Sequence, residues 1–266
     1  LSYFTISRLL NNRTKVIGLV DNWTGHERIL FERVFRRLFI KSCDRFISFS
    51  KNVGEKLKNS TNKEVLPLFH PINDDLPNKI SKDEALSNLD LPSRKYILFI
   101  GLIRKYKGVE SLINAFHYVS KEHENLRLII AGEFYDDINI YKTLIKRKDL
   151  EDKVIIDNDF LKSSKIRDYI CISDLIIQPY KKASQSGITP LAYFYDKPLV
   201  VSNIEGLKEI IIEDQSGEIF SETPSNLAIA IKNCINPESN RTYSNNIANS
   251  KLKYSWLRFV KKVEAF

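Results

Sequence analysis

Residues 96–108 read Tyr96-Ile97-Leu98-Phe99-Ile100-Gly101-Leu102-Ile103-Arg104-Lys105-Tyr106-Lys107-Gly108. The unbroken apolar run from Tyr96 to Ile100 suits a strand covered on both faces. Gly101 ends it, three cations follow at Arg104, Lys105 and Lys107, and Val109 to Val119 then carries apolar residues at helical spacing. Strand, basic loop and amphipathic helix make up the unit from which a parallel sheet sandwiched by helices is built.

The same alternation continues down the chain. Strands are expected at Leu126–Ala131, Val154–Ile156, Asp174–Gln178, Pro198–Val201 and Glu218–Phe220, with helices at Ile138–Ile145, Lys165–Cys171 and Asn226–Ile235. The fold class is therefore α/β, with a doubly wound, Rossmann-like parallel sheet whose ligand lies at the carboxyl ends of its strands. Upstream, Lys15–Val20, Asp44–Ser50 and Glu64–Phe69 read as further strands. His70-Pro71-Ile72-Asn73-Asp74-Asp75 breaks both helix and strand and marks a domain boundary.

Composition narrows the function classes. The 266 residues carry a formal charge of +8, but the lysines and arginines are spread along the chain without the signature of a DNA- or RNA-binding module, so no nucleic-acid partner is expected. Cys43, Cys171 and Cys234 are far apart and form no CxxC, which argues against a zinc site or a disulfide framework and for a reducing, cytoplasmic setting. No apolar run approaches the ~20 residues that span a bilayer, and no signal-peptide pattern opens the chain. Arg28, Arg33, Arg36, Arg37, Lys41 and Arg45, interleaved with Phe31, Val34, Phe35 and Leu38, read as a helix with a cationic face. That face is either simply solvated or rests on anionic lipid headgroups as a peripheral membrane contact. With no methionine and no start signal at Leu1, the chain reads as N-terminally truncated.

Four loops hold chemistry. Gly101 to Gly108 sets arginine and lysine where they can neutralise a diphosphate, although it is neither GxGxxG nor a Walker loop. Gln178-Pro179-Tyr180 leaves a strand and leads into Ser184-Gln185-Ser186-Gly187-Ile188-Thr189-Pro190, with a helix starting near Thr189. Small residues there let the backbone approach a ligand. Glu133, after another strand, either accepts hydrogen bonds from sugar hydroxyls or caps the next helix. Asp21-Asn22-Trp23-Thr24-Gly25-His26-Glu27 follows the first strand and gathers Asp21, His26 and Glu27 as groups for handling an acceptor hydroxyl. HExxH is absent.

In this order the segments resemble the GT-B glycosyltransferases, in particular glycosyltransferase family 4. Gly101 to Gly108 resembles that family's strand–Gly–basic–Lys-Gly loop, with Lys107 at its lysine and Arg104 taking the role of an arginine that stands directly after the glycine in the family. Asp174 to Tyr180 resembles its "aD-apolar-P-S/Y" strand and Lys197 to Ser202 its "G-x-P-V-V" strand. Glu205-Gly206-Leu207-Lys208-Glu209-Ile210 with Gly217 resembles its "G-G-x-x-E-I…G" finish. Between Pro179 and Pro198 the family carries two glutamates seven apart, and this chain has none. Ser184, Gln185, Ser186 and Thr189 stand there, as in a subgroup with A-T-Q-S-G. Asp21-Asn22…His26-Glu27 resembles that subgroup's "H-N-x-x-P-H-E".

The resemblance implies three parts: 1–75, the remainder of an N-terminal acceptor-side domain with the hinge; 76–252, the nucleotide-sugar domain; and 253–266, a helix crossing back to the first. It implies a hexosyltransferase-type glycosyltransferase moving a sugar from a UDP- or GDP-linked donor to a sugar or lipid-linked acceptor, with retention and no obligatory metal or cofactor. The setting it implies is bacterial polysaccharide or glycan assembly at the inner face of the membrane. Arg104 and Lys107 would hold the leaving diphosphate. Gly101, Glu133, Tyr180, Ser184, Gln185, Ser186, Gly187 and Thr189 would bind the donor, and Asp21, His26 and Glu27 would face the acceptor. An epimerase of the same fold and a binding-only partner subunit are the alternatives.

Overall fold

A computed structural model describes residues 15–23, 32–221 and 223–266. Its first sheet has three parallel strands, β1 (Ile17–Val20), β2 (Arg45–Ser48) and β3 (Val65–Pro67), in that order. Side chains alternate across it. Phe46 faces a core of Val20, Trp23, Cys43, Val53 and Leu57, shared with helices α1 (Glu32–Ser42) and α2 (Lys51–Lys58). Ile47 faces the opposite way, toward Leu68 and Phe259.

The second sheet is the larger. Its strands are β4 (Lys95–Ile100), β5 (Leu126–Ala131), β6 (Val154–Asp157), β7 (Leu175–Gln178), β8 (Leu199–Ser202) and β9 (Gly217–Phe220). They pair in parallel in the order β6-β5-β4-β7-β8-β9. The order runs outward in both directions from β4, so the chain reverses its winding between β4 and β7, where Ile97 pairs with Leu175 and Leu98 with Ile176. A doubly wound sheet leaves a crevice at the carboxyl ends of such a pair.

Helix α3 (Lys82–Leu89) leads into β4, helices α4 (Val109–Glu122), α5 (Ile138–Arg147), α6 (Ser163–Ile172), α7 (Ile188–Phe194) and α8 (Glu205–Asp214) connect these strands, and α9 (Pro224–Ile235) follows β9. Leu112, Ile113, Phe116 and Val119 of α4 and Leu227, Ile231 and Cys234 of α9 are buried on spacings of three and four. Each such side chain contributes roughly 1.5–3 kcal/mol of transfer free energy. Strand limits expected at Asp174 and Pro198 move by one residue, to Leu175 and Leu199.

The chain closes with α10 (Pro237–Ser250), a 3₁₀ turn over Lys251–Tyr254 and α11 (Trp256–Glu264). The last helix packs on the first sheet, with Phe259 stacked 5.7 Å from Phe49 and edge-on 6.0 Å from Phe69. The turn before it is pinned to the second sheet's helices. The enclosed carboxylate of Asp214 accepts the Tyr193 hydroxyl at 3.1 Å, the Tyr254 hydroxyl at 2.6 Å and Lys253 Nζ at 2.7 Å.

Candidate functional site

The two loops singled out for phosphate chemistry leave neighbouring strands, β4 and β7, at the winding reversal. They are pressed together. Residues 105–107 form a 3₁₀ turn ended by Gly108 at φ 73°, and a Cβ on that glycine would lie 1.8 Å from the Pro179 carbonyl oxygen. Only glycine meets both demands. Lys181 N–H donates to the Tyr106 carbonyl at 2.7 Å and closes the same contact.

Lys107 is thereby carried onto Tyr180, its Nζ 3.7 Å from the ring centre and 5.5 Å from that of Tyr106. Burial pulls its pKa from 10.5 down to about 8. A desolvated ammonium over an aromatic face gains roughly 2 kcal/mol from the ring, which offsets part of the lost hydration. An anion arriving beside it would favour the charged form further, so the geometry suits a phosphate. Tyr180 is itself buried, burial raises its pKa, and its hydroxyl lies 3.4 Å from Ser186 Oγ. It acts as a shelf under Lys107 and does not front the open site. Arg104 lies over Tyr135, 4.6 Å from its ring centre.

Past Tyr180, Ser184, Ser186 and Thr189 are buried, while Gly187 opens onto space with no atom within 4 Å of where a Cβ would sit. The Thr189 hydroxyl accepts Gln178 Nε2 at 3.0 Å, so it braces the start of α7. Glu133 is exposed after β5; its backbone carbonyl accepts Ile103 N–H at 2.8 Å, and the cap of α5 is Asp137, whose side chain accepts Asn139 N–H. Gly101, Arg104, Lys107, Glu133 and the 184–187 loop therefore gather at the carboxyl ends of β4, β5 and β7.

The carboxyl ends of the first sheet meet this loop. Gln185 Nε2 donates to Asp21 Oδ1 at 2.5 Å, and Ser50 Oγ donates to the Ser184 carbonyl at 3.2 Å. Asn52 N–H donates to Glu209 Oε1 at 3.0 Å, and Lys51 pairs with Glu213 at 2.8 Å. Burial raises the pKa of Glu209. Behind these contacts is a cavity of about 100 Å³ lined by Phe49, Leu68, Gln185, Tyr193, Ile210 and Tyr254, among others. Asp21 is thus brought to the loop, whereas His26 and Glu27 lie outside the described residues. Ser50 and Glu213 carry no site signal in the sequence, and Glu209 stands in the stretch that resembles the family's "G-G-x-x-E-I" without its contact being legible there. Ser50 carries an N-cap signature, a serine between a strand and a helix, but nothing local tells that it reaches a residue 134 positions away. Among the described residues no group of three His, Cys, Asp or Glu side chains could hold a metal ion.

A sequence model of the glycosyl transferases group 1 family matches residues 81–251, well over half of the chain. The chain belongs to the group 1 glycosyl transferases. Among curated proteins it is 29% identical over 177 residues to an uncharacterized glycosyltransferase of Methanocaldococcus jannaschii, covering 63% of this chain and 43% of the other. A second from the same organism is 25% identical over 241 residues, covering 87% and 60%. The chain thus spans about half the length of these relatives. Among solved structures, sucrose-phosphate synthase from Thermosynechococcus elongatus superposes with a TM-score of 0.81 at 15% identity, over 98% of this chain and 69% of that one. Anabaena HepE in complex with UDP and glucose superposes with 0.73 at 14%, over 95% and 71%. This glycosyl transferase has the GT-B type of fold, α/β with Rossmann-like parallel sheets, as the resemblance implied.

Proposed function

We propose that this chain carries the donor half of a glycosyltransferase that moves a sugar from a nucleotide diphosphate to an acceptor hydroxyl. The observation that carries the reading is Lys107, a largely desolvated cation seated over Tyr180 at the point where the winding of the sheet reverses. With Arg104 it would take the negative charge of the departing diphosphate, and such preorganised stabilisation is worth several kcal/mol of barrier. Bound UDP in the similar Anabaena protein supports a uridine nucleotide ahead of a guanosine one. Asp21 and Gln185, which meet between the two sheets, would hold sugar hydroxyls, and Glu133 would reach the donor sugar from β5.

The family resemblance supports transfer with retention of configuration and without an obligatory metal, and the two cations would serve the leaving group. A hexosyl donor, a sugar or lipid-linked acceptor and a place in polysaccharide or glycan assembly complete the proposal. No described helix is long and apolar enough to cross a membrane. On α1 the exposed Arg33, Val34, Phe35, Arg37 and Lys41 form a cationic face with apolar members, which favours contact with anionic lipid at the cytoplasmic surface.

Calorimetric titration with UDP, GDP and their sugar conjugates tests the site. Saturable binding of one nucleotide is expected, weakened by about 1.5 kcal/mol or more in the Arg104→Ala, Lys107→Ala double variant. Wild-type protein that binds none of them sinks the proposal.

A further inference from the structure

The donor loop is held from outside its own sheet. Ser50 stands where β2 gives way to α2, nearly out of contact with water. Its Oγ accepts the N–H of Val53 at 3.2 Å, capping the helix, and donates its single proton to the Ser184 carbonyl at 3.2 Å. Gly206 at the start of α8 presses on the same carbonyl from the second sheet; a Cβ there would lie 2.2 Å from its oxygen. Two residues along the loop, Ser186 Oγ meets the Tyr180 hydroxyl at 3.4 Å, and the Tyr180 ring lies 3.7 Å beneath Lys107 Nζ. Hydroxyl, loop carbonyl, loop hydroxyl, phenol and ammonium follow one another without a gap from the first sheet to the cation of the site.

We propose that Ser50 is a positioning residue of the donor site, setting the loop from Ser184 to Gly187 and, through Ser186 and Tyr180, the seat of Lys107. The inference rests on the donor-site reading above. It makes nucleotide binding sensitive to the docking of the first sheet. A loop that lost its tether would let Tyr180 shift beneath Lys107 and admit water to the ammonium, which raises its pKa and weakens its hold on an anion.

The test compares wild type with Ser50→Ala, which removes the tether, and Ser50→Thr, which keeps the hydroxyl. UDP is titrated calorimetrically into each, and the proton equilibrium of Lys107 is followed by NMR of carbon-labelled lysine. Ser50→Ala is expected to bind UDP about fivefold more weakly, the worth of one ordinary hydrogen bond. Its Lys107 titrates at higher pH than in wild type, and Ser50→Thr returns both quantities toward wild type. Ser186→Ala breaks the chain one link later and leaves the cap of α2 intact; it is expected to raise the Lys107 titration likewise and carries the test if Ser50→Ala does not fold. A folded Ser50→Ala with wild-type affinity and titration overturns the proposal, as does a Ser50→Thr that restores neither. If wild type binds no UDP while the Lys107 titration still answers to Ser50, the donor reading falls and the tether stands.

Discussion

Lys107 pays for its position in stability. Its folded pKa, about 8, lies below the ordinary 10.5, so the folded chain releases this proton before the unfolded chain does. Between those values the unfolded state holds more protons, and stability rises with pH on this residue's account. Lys197, half-buried and donating to the carbonyls of Cys171 and Ser173, is also pulled by desolvation down to about 8 and adds to the same rise. Above about 10 the trend reverses, because burial keeps the Tyr180, Tyr193 and Tyr254 phenols protonated where unfolded tyrosines ionise. Replacing Lys107 by methionine should therefore raise stability near pH 7 by on the order of 1 kcal/mol and flatten the climb from pH 8 to 10, while weakening UDP binding. Thermal melts across that range check it; an unchanged slope would show that the residue is better hydrated than its surroundings indicate. In the sequence, Lys107 is legible as a cation in a loop after a strand. Its seat is not, because Tyr180 becomes its neighbour only once β4 and β7 are known to pair.

Two helices meet end to side across the sheets. Glu209 and Glu213 lie one turn apart on α8 and face the start of α2, where backbone N–H groups have no partner within their own helix. Glu209→Ala leaves Asn52 N–H without its acceptor at a half-buried position and should cost about 1 kcal/mol, whereas Glu209→Gln keeps an oxygen there and should cost less. Hydrogen exchange at the Asn52 amide reports the difference directly: faster in Glu209→Ala, close to wild type in Glu209→Gln. Equal exchange in all three proteins would mean that water serves as well as the carboxylate. The helices that the sequence concealed have identifiable reasons. The only buried residues of α10 are Ile247 and Ser250, so no apolar period marks it, although Asn236 caps it and Pro237 opens it. The signal of α8 is blurred by Ile210, Ile211 and Ile212, which run together instead of falling at helical spacing. Strands of the second sheet stand out because both faces are covered and the apolar runs are continuous. The contacts between the sheets left no local trace, since each joins residues far apart in the chain.

The described residues form one large core and two small ones. The core of the second sheet draws on every strand from β4 to β9, while the first sheet shares a handful of side chains on each face. The smaller unit should unfold at lower denaturant. Both tryptophans of the chain belong to it: Trp23 is buried with Val20 and Phe46, and Trp256 lies 5.5 Å from Phe259. Fluorescence should then fall before far-ultraviolet circular dichroism, whose signal comes mostly from the helices around the second sheet. Coincident transitions would instead show that the contacts of α8 and of the loop from Ser184 to Gly187 bind the two units into one cooperative body.

The Asp214 cluster governs where this protein can be cut. A fragment ending at Ser250 keeps all six strands of the second sheet and all the helices that cover them, and looks complete by that measure. It would nevertheless lose Lys253 and the Tyr254 hydroxyl, leaving an enclosed carboxylate with Tyr193 as its only side-chain hydrogen-bond donor among the described residues. Such a fragment would have to admit water to that carboxylate in place of the two lost donors, loosening the contact between its helices. The few residues that lead into the last helix are therefore an integral part of the unit built on the second sheet, and a dissection of the chain into its two units should draw the boundary after them.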